Sequence, residues 1–118
     1  MFINTANLVM RDLHEGVSIR VAWGEKIMMS FVDLTPHSIV PCHSHPHEQM
    51  GMVLEGKLEL TIAQESRLLQ KGDAYLIPSD MEHSVKVLES QTRALDIFSP
   101  PREDYKYTSD LHDSIRMQ

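Results

Sequence analysis

Of seven histidines in a chain of 118 residues, three fall in the run HSHPH as His43, His45 and His47. That puts metal chemistry ahead of other hypotheses. In an extended segment, residues two apart point to the same side, so His43 and His45 present two imidazoles to one point. Pro46 imposes a bend, and Gln49 just beyond it can add an amide oxygen to the same centre. A fourth group must come from elsewhere in the chain, and His83, arriving after the turn PSDME, is the candidate. Three imidazoles and an amide are all neutral, so a divalent ion among them keeps its full charge and is the stronger Lewis acid for it. Zn, Ni, Mn and Fe(II) all accept such N and O ligands, and the expectation is one divalent ion per chain, of unspecified identity. Cys42 adjoins the cluster but points away from His43 if the strand is regular, and is expected only to pack.

An HxH pair on its own is more often an exposed strand or loop than a metal site, so the elements around it matter. From Val17 to Phe98 the chain is a series of short β-branched or alternating runs: VSIRVAW, KIMMSFVDL, QMGMVL, KLELTIA, SRLLQ, AYLIP, HSVKVL and TRALDIF. In KLELTIA, Leu58, Leu60 and Ile62 share one face and Lys57, Glu59 and Thr61 the other, the period of a half-buried strand. Gly24, Gly56 and Gly72 stand where the chain must reverse, in turns that favour positive φ. Many strands at short spacing without a helical pattern predict an antiparallel sandwich or barrel. Pro100 and Pro101 end the last strand, and REDYKYTSDLHDSIRMQ beyond them reads as a short helix or a loose tail.

Composition narrows the function classes. The hydrophobic fraction of 42% suffices for a continuous core, and the single cysteine excludes an internal disulfide. The N-terminal stretch carries charges where a signal peptide needs an apolar run, and no run approaches the roughly 20 apolar residues of a spanning helix. A cytoplasmic protein without a membrane partner is expected. The formal charge of −6 is spread along the chain with no Lys/Arg cluster to neutralise phosphates, which argues against nucleic acid.

The run RALDIF places Ala94, Asp96 and Phe98 on one face of a strand, and a carboxylate in an apolar strand needs compensation. One reading is a structural ion pair with an arginine such as Arg102. The other is that Asp96 faces a metal cavity and acts as general acid or base. The residues leave both open.

The run PCHSHPHEQMGMVLEG followed by KGDAYLIPSDMEHSV resembles the two signature motifs of the cupin superfamily. His43, His45, Gln49 and Gly56 match the first motif, and Gly72, Pro78 and His83 match the second. The resemblance implies an all-β fold, an antiparallel double-stranded β-helix of jelly-roll type. It implies one cupin domain over 1–118, with a barrel at about 15–99 and a C-terminal tail at 100–118. It also implies His43, His45, Gln49 and His83 as the metal ligands, while His47 and Glu48 fall on non-ligand positions. His37 and Asp80 stand where these motifs usually carry glycine, both at turns.

A narrower resemblance joins HSHPHEQ with LDIFSPPRED. The pair is similar to the small single-domain cupins of pectin and alginate breakdown, the unsaturated-uronate linearising family known as pectin degradation proteins. In that family an aspartate, a phenylalanine two residues on and an arginine six residues after the aspartate line the pocket, a spacing matched by Asp96, Phe98 and Arg102. The implied enzyme opens and tautomerises 4,5-unsaturated uronates. Asp96 would move the proton, Arg102 would pair with the substrate carboxylate, Phe98 would form an apolar wall, and Gln49 would ligate or orient the sugar. Competing readings are a sugar-acid sensor without catalysis, a metal-dependent dioxygenase, and a metal-stabilised scaffold with Asp96 in an ion pair away from the cavity. Met28, Met29, Met50 and Met52 either fill an irregular interior or, as the resemblance to dimeric cupins favours, help to form a homodimer.

Overall fold

Alternating and β-branched runs become ten strands in the computed structural model, which describes residues 1–106. They are β1 (Arg11–His14), β2 (Val17–Trp23), β3 (Met28–Leu34), β4 (Ile39–His43), β5 (Glu48–Glu55), β6 (Lys57–Ile62), β7 (Glu65–Gln70), β8 (Ala74–Ile77), β9 (His83–Val87) and β10 (Thr92–Ser99). Pairing is antiparallel throughout. One sheet has the order β1-β2-β3-β10-β5-β8 and the other β4-β9-β6-β7. This is the expected all-β jelly-roll barrel. Among the described residues the only helical element is a 3-10 turn at Thr5–Asn7, and no helix is long and apolar enough to cross a membrane.

Four features differ from the sequence expectation or decide between its alternatives. Strand β1 lies before the expected barrel start at residue 15, because RDLH is short and mostly polar and offers little apolar alternation to read. Gly24 sits in the β2–β3 turn, its N–H donating to the Ile27 carbonyl at 2.9 Å, without the positive φ seen at Gly56 and Gly72. Met28 is fully buried, so it belongs to the core, whereas Met50 and Met52 face outward. Residues 100–106 form a turn and not a helix; residues 107–118, the rest of the expected tail, lie outside the described residues.

The core lies between the sheets. Val17, Leu34, Val53, Leu58, Leu60, Leu69 and Val87 form its larger cluster, and Ile19, Val21, Met28 and Phe98 a second one nearer the histidines. These clusters leave between them a cavity of about 380 Å³.

His37 and Asp80, the two positions where glycine was expected, adopt φ of 62° and 65°. Both turns therefore keep a glycine-like backbone with an L-residue in it. The Asp80 turn is held by its own N–H, which donates to the His45 carbonyl at 2.8 Å. Asp tolerates this conformation better than most side chains.

Gly56 joins β5 to β6 at φ +81°, and a Cβ there would meet the Gln91 carbonyl oxygen at 2.6 Å and the Thr92 Cα at 2.8 Å. The fully buried Thr92 cannot yield, because its hydroxyl bonds the Lys57 and Ser90 carbonyls. Gly56→Ala is expected to lower unfolding free energy by roughly 1–3 kcal/mol from backbone strain, more if the clash is not relieved, as read from urea unfolding.

Candidate metal centre

Two of the histidines meet through sheet register. His43, the last residue of β4, pairs directly with His83, the first of β9, and their rings lie 4.2 Å apart between centroids. His45 arrives differently from expectation. Strand β4 ends at His43, so His45 lies in the loop that follows and not one strand repeat further on. The loop, which bends at Pro46 and His47, holds its ring 5.9 Å from His43 and 5.0 Å from His83. One potential ligand atom from each of the three residues lies within 4.8 Å of the others. His47 is outside this group, and Cys42 is exposed, pointing to Glu82.

Hydrogen bonds prepare these rings for a cation. His43 Nδ1 bonds the Pro41 carbonyl at 2.8 Å, His45 Nδ1 the His47 carbonyl at 3.1 Å, and His83 Nδ1 the Met81 carbonyl at 2.9 Å. A carbonyl only accepts, so each Nδ1 carries the proton and each neutral ring keeps the Nε2 lone pair for a ligand bond. His47 thus serves through its backbone.

Gln49 is buried on β5, with Oε1 3.0 Å from His45 Nε2. Its amide also bonds Asp96, whose carboxylate accepts, so the amide nitrogen points to Asp96 and the oxygen to the imidazoles. A bare imidazole nitrogen and an amide oxygen are then two acceptors at contact distance, an arrangement satisfied by a cation shared between them. The donor set of three imidazoles and one amide oxygen fits a divalent metal of borderline softness.

Charges around the site follow the same logic. Burial, opposed by the Met81 carbonyl bond, pushes His83 down to about 4, and burial with the nearby Arg102 charge lowers His45. Burial raises Asp96, against the lowering effect of hydrogen bonds from Tyr75 and Gln49 and of the Arg102 charge.

Asp96 lies on the cavity wall and accepts from the Tyr75 hydroxyl at 2.6 Å. It does not take Arg102 as its ion-pair partner. Arg102 instead grips Asp104 with Nε at 3.2 Å and Nη2 at 2.8 Å, and its guanidinium stacks 3.8 Å from the Tyr105 ring centroid. Arg102 still lines the cavity, as does Phe98, which is only 2% exposed and meets His45 edge-on at 5.7 Å. The candidate site residues His43, Gln49, His83, Asp96, Phe98 and Arg102 therefore line one cavity, and His45 joins them through the imidazole cluster. Tyr75, Tyr105 and Asp104 were not singled out. For Tyr75 the available signal was Gly51, a glycine inside an otherwise apolar strand run, which marks a close approach by another group.

In the metal-free protein, protonating His83 places charge among buried imidazoles. Its folded value of about 4 lies below the ordinary 6.5, so in that window the unfolded chain binds more protons and stability drops as pH falls. His45 shifts the same way. The urea midpoint of metal-stripped protein is expected to decline between about pH 6.5 and 4, and His83→Gln to flatten that decline.

A cupin domain model matches residues 30–98. The chain is 33% identical over 96 residues to the pectin degradation protein KdgF of Dickeya dadantii, covering 80% of this chain and 87% of that protein. Its fold matches KdgF from Halomonas sp. with a TM-score of 0.84 and 28% identity, over 90% of this chain and 98% of that one. An RmlC-like cupin from Shewanella frigidimarina matches equally well in fold, with a TM-score of 0.84 over 89% of this chain and 95% of that one at 22% identity. With the strand order, the paired motifs and this similarity in agreement, the chain belongs to the cupin domain family.

Proposed function

We propose that this protein is a metal-dependent enzyme that opens and tautomerises 4,5-unsaturated uronates, the sugar acids released by pectin or alginate breakdown. The observation that carries the reading is the position of Asp96. It stands on the cavity wall, bonded to Tyr75 and Gln49 and free of an ion pair with Arg102, where a scaffold role would have buried it in such a pair. Similarity to proteins named for pectin degradation supports the same substrate class.

The reaction is largely a matter of moving protons on a conjugated acid. A bound divalent ion would be held by His43, His45, His83 and Gln49, and would supply Lewis-acid stabilisation of negative charge on substrate oxygen. Arg102 would pair with the substrate carboxylate, its plane fixed by Asp104 and the Tyr105 ring. Asp96 would take the proton from the ring-opening hydroxyl and return it to carbon during tautomerisation. Leu58, Leu60, Ile77 and Phe98 line the cavity and limit water. A volume of about 380 Å³ suits a monosaccharide-sized ligand.

On this reading the chain works as one cupin domain in the cytoplasm, and as a homodimer. Leu76, Met50, Ile97 and Met29 lie in one row across β8, β5, β10 and β3, with Met50 58% and Leu76 48% exposed. A second copy would cover that face. Sedimentation is expected to give a dimer for the parent chain and a monomer for Met50→Glu.

The test of the reaction mixes metal-loaded protein with 4,5-unsaturated galacturonate and follows loss of the conjugated chromophore. The expected rate exceeds spontaneous decay, disappears when metal is stripped, and falls at least about 100-fold in Asp96→Ala. A parent rate equal to spontaneous decay would remove this function and leave the metal-site assignment standing.

A further inference from the structure

Interior positions of three adjacent strands form one row: Tyr75 on β8 pairs with Gly51 on β5, and Gly51 pairs with Asp96 on β10. Side chains on next-neighbour strands are ordinarily separated by the side chain between them. Here that position is glycine. A Cβ built on Gly51 would collide with the Asp96 carboxylate on one side and the Tyr75 phenol on the other. The phenol therefore crosses β5 through the gap left by Gly51 and donates to Asp96 Oδ1 at 2.6 Å, a length typical of a charge-assisted bond.

We propose that Tyr75 is the positioning residue for Asp96, reaching across the Gly51 gap to fix the carboxylate that receives and returns the substrate proton. This rests on the reading of Asp96 as the proton-moving group.

Among the described residues Asp96 has two donors, the Tyr75 hydroxyl and the Gln49 amide. Together they restrict rotation of the carboxyl group about its last bond. Without Tyr75 the carboxylate keeps a single tether, to a side chain that also faces the imidazoles, and it can turn away from the cavity. Burial and the adjacent carboxylate push the Tyr75 phenol well above its ordinary value, so it remains the donor in this pair. Among the described residues no ring contact or hydrogen bond joins Tyr75 to the three imidazoles, so its effect should pass through Asp96.

The experiment uses the full chain with Tyr75→Phe, Asp96→Ala and the double variant. In proton NMR of the parent, a tyrosine hydroxyl protected from exchange is expected, and it should vanish both in Tyr75→Phe and in Asp96→Ala. Absence of that signal in the parent, or its persistence in Asp96→Ala, would overturn the proposal whatever the substrate proves to be. In the chromophore assay, Tyr75→Phe should lower kcat about 10- to 100-fold and change KM by less than about twofold, as expected for a misplaced catalytic group. In the Asp96→Ala background the same substitution should change nothing further. A parental kcat in Tyr75→Phe, or an equal additional loss in the double variant, would sink the positioning role. A parent inactive on every unsaturated uronate would instead remove the proposed reaction, with the hydroxyl signal still deciding whether Tyr75 holds Asp96.

Discussion

Strand β5 lies between β8 and β10 in a register that turns Gln49, Gly51 and Val53 inward. The site depends on that register. A slip of one residue would turn Met50 and Met52 into the cavity and remove the amide oxygen from the imidazoles. The inward row then has a defined chemistry. Gln49 meets the histidines, Gly51 makes room for Tyr75 to reach Asp96, and Val53 continues into the apolar core. Anchoring comes from both ends of the strand: the Val53 N–H and carbonyl bond Asp73 and Gly72 at one end, and Glu48 pairs with Ser99 at the other.

Electrostatics favour a cation at one point and disfavour protons at the same point. Each imidazole has its Nδ1 engaged by a backbone carbonyl two residues away, so the rings are locked in one tautomer without a charged partner. Burial disfavours the protonated forms of His45 and His83, and Arg102 nearby adds to that cost. The same Arg102 charge helps Asp96 ionise against its own burial. Asp104 balances that guanidinium from the more exposed side, with its side chain 59% exposed against 11% for Arg102. The arginine can therefore sit beside a metal site without a buried, uncompensated charge.

Much of this was legible in the sequence, for reasons specific to particular residues. Spacing singled out His43, His45, Gln49 and His83, which the structure brings together, because a candidate metal site would restrict ligand type and order more tightly than a core restricts its apolar residues. Register then explains only half of that cluster. His43 and His83 are cross-strand neighbours, but His45 reaches them through a loop whose bend no alternation rule predicts. His37 and Asp80 kept their glycine-like φ without being glycine, so those turns are specified by the surrounding hydrogen bonds, such as Asp80 N–H to the His45 carbonyl, more than by local propensity. Tyr75 was harder to read, since its partner lies two strands and 21 residues away and Gly51, an absent side chain, is the one trace of the link between them.

Two strands of the six-stranded sheet, β5 and β10, depart from the usual relation of pattern to environment, which β2 in the same sheet keeps. In β5 the inward positions near the mouth are an amide and a glycine, while Met50 and Met52 point out. In β10 the inward face holds Thr92 and Asp96 beside Ala94 and Phe98, and the outward face holds Leu95 and Ile97. A strand read by the rule that apolar residues face the core would be placed inside out here. The inversion makes physical sense when the interior is a reaction cavity, where a polar group is compensated by other polar groups and by ligand, and when the exterior is an apolar surface suited to burial against another chain. Both faces of β5 and β10 then need specific side chains, so the alternation of these two strands encodes two separate demands and not a single boundary between core and water.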